Sequence, residues 1–152
     1  MVSRLILFLL LNFGGLYLGS LFTTPGVNSD WYNSLNQAPW TPPGWVFGVA
    51  WTTIMICFSI YLAKLFEHKK LWQSLIPLYI IQWILNVGWN PVFFYYQAVG
   101  LGLVVISTLL LVIVFFLVGY RKKLEWYSIL LAPYVIWLAI ATSLNGYIYL
   151  YN

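Results

Sequence analysis

Charge is what this sequence has least of. Asp and Glu number three and Lys and Arg seven, so 7% of the 152 residues are charged, against about 25% in an ordinary soluble domain. The acids are Asp30, Glu67 and Glu125, all outside the long apolar runs. No nucleophile stands paired with a base, which argues against hydrolytic and general acid–base catalysis. Cys57 is the only cysteine, so no intrachain disulfide forms. His68 is the only histidine and has Lys69 and Lys70 beside it, which leaves no set of metal ligands.

What is present in quantity is apolar and aromatic. Hydrophobic residues make up 62% and aromatic ones 20% of the chain, with a mean hydropathy of +0.87. A soluble fold has no interior for that much surface, so the sequence reads as an all-α integral membrane protein, one domain over residues 1–152. A helix needs about 20 apolar residues to cross the hydrocarbon layer. Five stretches qualify, residues 5–23, 45–65, 72–95, 98–120 and 126–151. The first follows Arg4 as a signal peptide would, yet it outruns a signal's apolar segment, contains Asn12, Gly14 and Gly15, and precedes no small-residue cleavage pattern. It is therefore read as a span. The connection from Thr24 to Gly44 holds Pro25, Gly26, Pro39, Pro42 and Pro43, so it is not a simple helix.

Basic residues test the count independently, because cytoplasmic loops collect Lys and Arg. With five spans, Arg4, the Lys64, Lys69, Lys70 group and the Arg121, Lys122, Lys123 group all fall on one side. The N-terminus is then cytoplasmic, and the long loop and the C-terminus lie outside. Trp72 and Trp126 each follow a basic loop, where an indole anchors at the lipid interface. The net charge of +4 reflects topology and lipid contact rather than nucleic-acid binding. With no targeting extension in view, the expected location is a bacterial cell membrane.

Trp51, Trp83, Trp89 and Trp137 fall inside spans, with Gln82, Asn86, Asn90, Thr142 and Asn145. At a rise of 1.5 Å per residue, Trp51, Asn86, Asn90, Thr142 and Asn145 all sit roughly 7 to 14 Å below the outer surface. Tyr79, Gln82, Asn86 and Trp89 or Asn90 share one helical face, as do Tyr134, Trp137, Ala141 and Asn145. Amides at that depth serve either as interhelical glue or as the polar points of an aromatic-lined ligand cavity. Three helices bringing tryptophans to one depth favours the cavity. The stretch APWTPPGWVFGVAW (38–51) lies on the same side, its prolines stiffening a lid that offers Trp31, Trp40 and Trp45, or else resting those indoles on lipid headgroups.

The segments WYNSLNQAPWTPPGWVFGVAW, YIIQWILNVGWNPVFF and APYVIWLAIATSLN closely resemble three signatures of the translocator protein family, also called tryptophan-rich sensory proteins or peripheral-type benzodiazepine receptors. The resemblance implies a five-helix bundle, usually a homodimer, that takes protoporphyrin IX or heme and synthetic ligands such as isoquinoline carboxamides. It implies a site around Trp51, Asn86, Trp89, Trp137, Ala141 and Thr142. In some bacterial members Trp51 and Trp137 correspond to tryptophans implicated in light-dependent porphyrin degradation. Two departures stand out. The Lys-Pro-x-Trp pattern of the family loop is replaced by Gln37, Ala38, Pro39, Trp40, and no basic residue follows Tyr147, so the sterol-recognition pattern of mammalian members is incomplete.

Three functions follow from these readings. The first is a receptor or sensor binding a tetrapyrrole, with no required cofactor. The second is a transporter, disfavoured because no Asp, Glu, Lys, Arg or His lies deep in a span. The third is a photo-oxidative enzyme acting through Trp51 and Trp137. Gly15 and Gly19 form a GxxxG that permits close helix contact.

Overall fold

The computed structural model describes residues 1–152. Five long helices form the bundle: α1 (Val2–Val27), α3 (Gly44–Leu65), α4 (Trp72–Asn90), α5 (Val99–Leu124) and α6 (Ala132–Tyr151), with a short α2 (Asp30–Ser34) in the first loop. Three helical stretches are long and apolar enough to cross a membrane, Val2–Val27, Gly44–Leu65 and Val99–Tyr151, the last comprising α5 and α6. Helix α4 is less apolar because it carries Pro77, Gln82, Asn86 and Asn90. It packs between α1 and α5, and the ring closes through α6 on α5, α3 on α6 and α1 on α3.

The basic residues meet at one end, as their spacing in the sequence requires. Arg4 lies 3.9 Å from Glu67, Lys64 pairs with Glu67 at 3.1 Å, and the Lys64 ammonium sits 5.3 Å from the centre of the Tyr127 ring. These contacts place the N-terminus, the α3–α4 turn and the α5–α6 turn together at the cytoplasmic surface.

Several boundaries differ from the sequence reading. Helix α1 continues past Thr23 through Pro25 to Val27, since a proline near a helix end removes a single bond from carbonyls already close to the surface. Helix α5 runs a turn beyond Tyr120, with Arg121, Lys122 and Lys123 in its last turn where the helix dipole favours cations. The fifth span starts as a 3₁₀ turn over Glu125–Leu131 before α6 begins. At the outer end of α4 the chain widens into a π turn, Pro91–Tyr95, closed by Tyr96 N–H on the Pro91 carbonyl at 2.9 Å. Pro91 has no N–H to offer one turn back. The Asn90 amide supplies the missing donor, reaching the Asn86 and Val87 carbonyls at 3.1 Å each. Gln97 then turns the chain with φ 54°.

The cytoplasmic half of the bundle is solid. Phe58, Tyr61, Leu62, Leu65, Leu75, Ile113, Phe116, Leu131, Tyr134 and Leu138 pack there with essentially no exposure. Phe58 contacts Phe116 and Tyr134 edge-on at 5.9 and 5.3 Å, the geometry aromatic quadrupoles prefer. Three polar side chains in this half pair off with one another. Tyr79 donates to Asn12 at 2.8 Å, Asn12 to Ser59 at 2.9 Å, and Ser59 to the Met55 carbonyl at 2.6 Å, joining α4, α1 and α3.

Candidate ligand cavity

The outer half is hollow. A cavity of about 580 Å³ lies beneath the first loop, within the range of about 300 to 1,000 Å³ usual for small-molecule sites. Helix α3 contributes Phe47, Gly48, Trp51 and Thr52 to its wall, α4 Asn86, Trp89 and Asn90, and α6 Trp137, Ala141, Leu144, Asn145 and Ile148. Helix α5 stands behind and reaches it only at Ile106.

Packing fixes the ring orientations. Trp51 meets Tyr134 edge-on at 6.1 Å, Phe47 meets Trp137 edge-on at 5.1 Å, and Trp89 stacks on Phe93 at 5.1 Å. An edge-packed indole keeps a single pose without a ligand, so less order has to be created on binding.

The amides divide between the two roles open to them. Asn90 is glue: besides bracing Pro91, its carbonyl accepts from Thr23 at 2.6 Å, tying α1 to α4. Asn145 is glue too, accepting from Trp89 Nε1 and donating to the Val99 carbonyl, both at 3.1 Å. Gln82 does not line the cavity; it is buried under the floor and donates to Tyr134 at 2.8 Å. Asn86 lines the cavity itself, with its Oδ1 buried and without a partner in the chain, as is Trp137 Nε1 on another wall; Gln82 Oε1 is also unpartnered but lies beneath the floor. Each such group costs on the order of 1 to 3 kcal/mol when left unpaired. An acceptor and a donor therefore stand uncommitted on two walls of one cavity.

Trp31, Trp40 and Thr142 are also placed outside the lining. Trp31 packs edge-on against Phe93 at 5.7 Å. Trp40 donates to Ser143 at 3.1 Å and meets Tyr147 edge-on at 5.4 Å, pinning the loop to α6. Thr142 is partly buried, with an unpartnered hydroxyl oxygen. The loop does cover the cavity, but through Tyr32, Gln37, Thr41 and Pro42. Its far fastening is Asn152, whose side chain holds Asn36 N–H at 2.8 Å and the Asn36 carbonyl at 3.2 Å. Burial pushes the Tyr32 phenol above its ordinary range, so it is a neutral hydrogen-bonding group at any physiological pH.

The sequence reading missed α1, which supplies Gly15, Leu16, Gly19, Ser20, Thr23, Thr24 and Val27. A Cβ on Gly15 would stand 2.8 Å from Trp83 Nε1, and one on Gly19 2.6 Å from Asn90 Nδ2. The GxxxG is consumed by packing of α1 on α4 inside the protomer. It is not free for a contact between subunits. The exposed lining residues, Thr24, Val27, Gly44, Gly48 and Thr52, all belong to α1 or α3, so the cavity opens between those two helices.

The sequence pattern of the TspO/MBR family matches residues 6–150. A tryptophan-rich sensory protein of Cereibacter sphaeroides is 32% identical over 76% of this chain and 73% of its own. The tryptophan-rich protein TspO of Chlorobaculum tepidum is 35% identical over 85% and 83%. The translocator protein of Homo sapiens is 33% identical over 86% and 79%.

Proposed function

Because this chain belongs to the TspO/MBR family of integral membrane proteins, we propose that it is a receptor or sensor whose outer cavity binds a tetrapyrrole, protoporphyrin IX or heme. The observation that carries this reading is the pair of unpartnered polar atoms, Asn86 Oδ1 and Trp137 Nε1, among the aromatic walls of one cavity. A porphyrin is a flat apolar ring with carboxylates along one edge. The aromatic walls suit the ring, and the uncommitted side-chain donors of Thr24, Gln37 and Thr52 suit the carboxylates, the hydroxyls of Ser20, Thr23 and Thr41 being given to Tyr17, Asn90 and Ala38. No Asp, Glu, Lys, Arg or His lines the cavity. That fits a guest whose buried part is an apolar aromatic ring, a porphyrin with its carboxylates at the rim or an isoquinoline carboxamide, and gives no group for ion-coupled transport.

A second reading rests on Trp51 and Trp137, which both border the cavity. An indole beside a photoexcited macrocycle can surrender an electron to it, leaving an indole radical cation and a macrocycle radical anion; dioxygen adding to that macrocycle radical would be the oxidant, itself reduced, in a light-dependent loss of the ring. The test of the binding reading is quenching of tryptophan fluorescence by protoporphyrin IX in the dark, on purified protein in detergent. Saturable quenching at micromolar porphyrin, weakened roughly tenfold by Asn86→Ala with Trp51→Phe, is the expected result. Quenching that never saturates and ignores the substitutions means simple partition into the micelle. Light-dependent porphyrin loss that vanishes in Trp51→Phe and Trp137→Phe, with dark binding kept, separates the photochemical reading from binding alone.

A further inference from the structure

A second hollow, of about 560 Å³, lies at the opposite end of the bundle from the cavity, between the last turns of α5 and the 3₁₀ turn that leads into α6. Its membrane-facing side is apolar, formed by Leu117, Val118 and Ile129, with Val118 and Ile129 largely exposed. Its surface end carries Arg121, Glu125 and Trp126. The groove thus changes from hydrocarbon-like to charged over about one helical turn, at the level where the basic loops place the inner headgroups.

Three features of this groove have no use within the chain. Arg121 and Glu125 are both unpaired, since the chain's ion pairs are Arg4–Glu67 and Lys64–Glu67. Ser128 is 5% exposed and lines the groove, yet its hydroxyl oxygen has no hydrogen-bond partner. Glu125 holds a backbone φ of 47°, where a glycine would sit with less strain. A carboxylate kept at a strained turn, beside an unpaired guanidinium and a buried unsatisfied hydroxyl, is a set of three polar points at the mouth of an apolar slot.

We infer that this groove binds one phospholipid of the inner leaflet whose headgroup carries both a phosphate and a primary ammonium, that is, phosphatidylethanolamine. The phosphate pairs with Arg121, whose planar fork suits it. The ammonium donates to the Glu125 carboxylate, and Ser128 completes its bonding on a headgroup or ester oxygen. An acyl chain lies along Leu117, Val118 and Ile129, with the Trp126 indole at the interface. Glu125 decides between lipids: a purely anionic headgroup would be repelled by it, and a quaternary choline has no N–H to give it.

The test is native mass spectrometry of the full chain released from detergent with phosphatidylethanolamine, phosphatidylcholine or phosphatidylglycerol of identical acyl chains at equal mole fraction. The expected result is one tightly held phosphatidylethanolamine, retained roughly tenfold better than phosphatidylcholine. Arg121→Gln and Glu125→Gln should each bring it down to the phosphatidylcholine level while leaving porphyrin quenching in the distant cavity unchanged, which also reports that the variants are folded. Should Arg121→Gln not fold, Glu125→Gln decides by itself. Equal retention of the three lipids overturns the inference. So does a preference for phosphatidylglycerol that survives Glu125→Gln, which would mark a plain cationic patch, or a second copy of the chain displacing the lipid.

Discussion

The two halves of this bundle are built from the same five helices and follow opposite rules. Toward the cytoplasm, Phe58, Tyr61, Phe116 and Tyr134 fill the interior and the polar side chains of Asn12, Ser59 and Tyr79 satisfy one another. Toward the outside, tryptophans line an empty volume and the polar atoms of Asn86 and Trp137 are left without partners. Lipid gives helices no hydrophobic reason to associate, so dispersion contacts and interhelical hydrogen bonds must hold the bundle. The solid half supplies that cohesion, which allows the other half to stay hollow.

The sharpest way to break the contrast is to hollow the solid half. Phe58→Ala should cost about 3 to 5 kcal/mol, read as a large fall in the thermal midpoint in detergent. A comparable fall from Trp51→Ala would erase the distinction between the halves. Next in size is a close approach between helices. A Cβ on Gly26 would run into the Phe94 ring, whereas one on Gly14 meets nothing within 4 Å. Gly26→Ala should therefore destabilise by about 1 to 3 kcal/mol, while Gly14→Ala should be neutral or stabilising by up to about 1 kcal/mol.

Polar substitutions separate the halves by sign. Asn12→Ala leaves Tyr79 and Ser59 without their partner and should cost about 1 kcal/mol. Asn86→Leu removes an acceptor that nothing in the chain uses, so stability should hold or rise slightly while porphyrin binding weakens. The smallest effect belongs to the cytoplasmic surface. A hydrogen bond from Lys64, with the nearby Lys64, N-terminal and Arg4 charges, holds the Glu67 carboxyl below its ordinary value of 4.5. Its contribution is present above that value and is lost as pH falls through the lowered one. Because Glu67 is exposed, Glu67→Gln should move the midpoint little at pH 7 and flatten its fall only at acid pH.

The span count and orientation were legible because seven basic residues obey a rule that does not depend on packing. Trp51, Asn86, Trp89, Asn90, Trp137, Ala141 and Asn145 were legible as a cavity wall because amides and indoles are costly at that depth. Helix α1 was not. Gly15, Gly19, Ser20 and Thr23 carry no such cost, and only the close approach of Trp83 and Asn90 shows why two glycines stand there. Trp31 and Trp40 misled for the opposite reason. They are conspicuous residues on the right side of the membrane, yet each indole is occupied in fastening the loop rather than facing the hollow. Asn90 shows how local chemistry can hide in a site, since here its amide gives the Val87 carbonyl the donor that Pro91 lacks.

If the outer hollow is a binding site rather than imperfect packing, filling it abolishes binding without costing stability. Ala141 lines the cavity and is small. For Ala141→Phe and the parent protein, the thermal midpoint would be measured in the dark with and without saturating protoporphyrin IX. The parent should gain about 5 °C or more from the ligand, as ligand far above Kd stabilises by about 3 kcal/mol. The filled variant should keep its ligand-free midpoint and lose that gain. A porphyrin-induced shift that survives the filling would contradict the account.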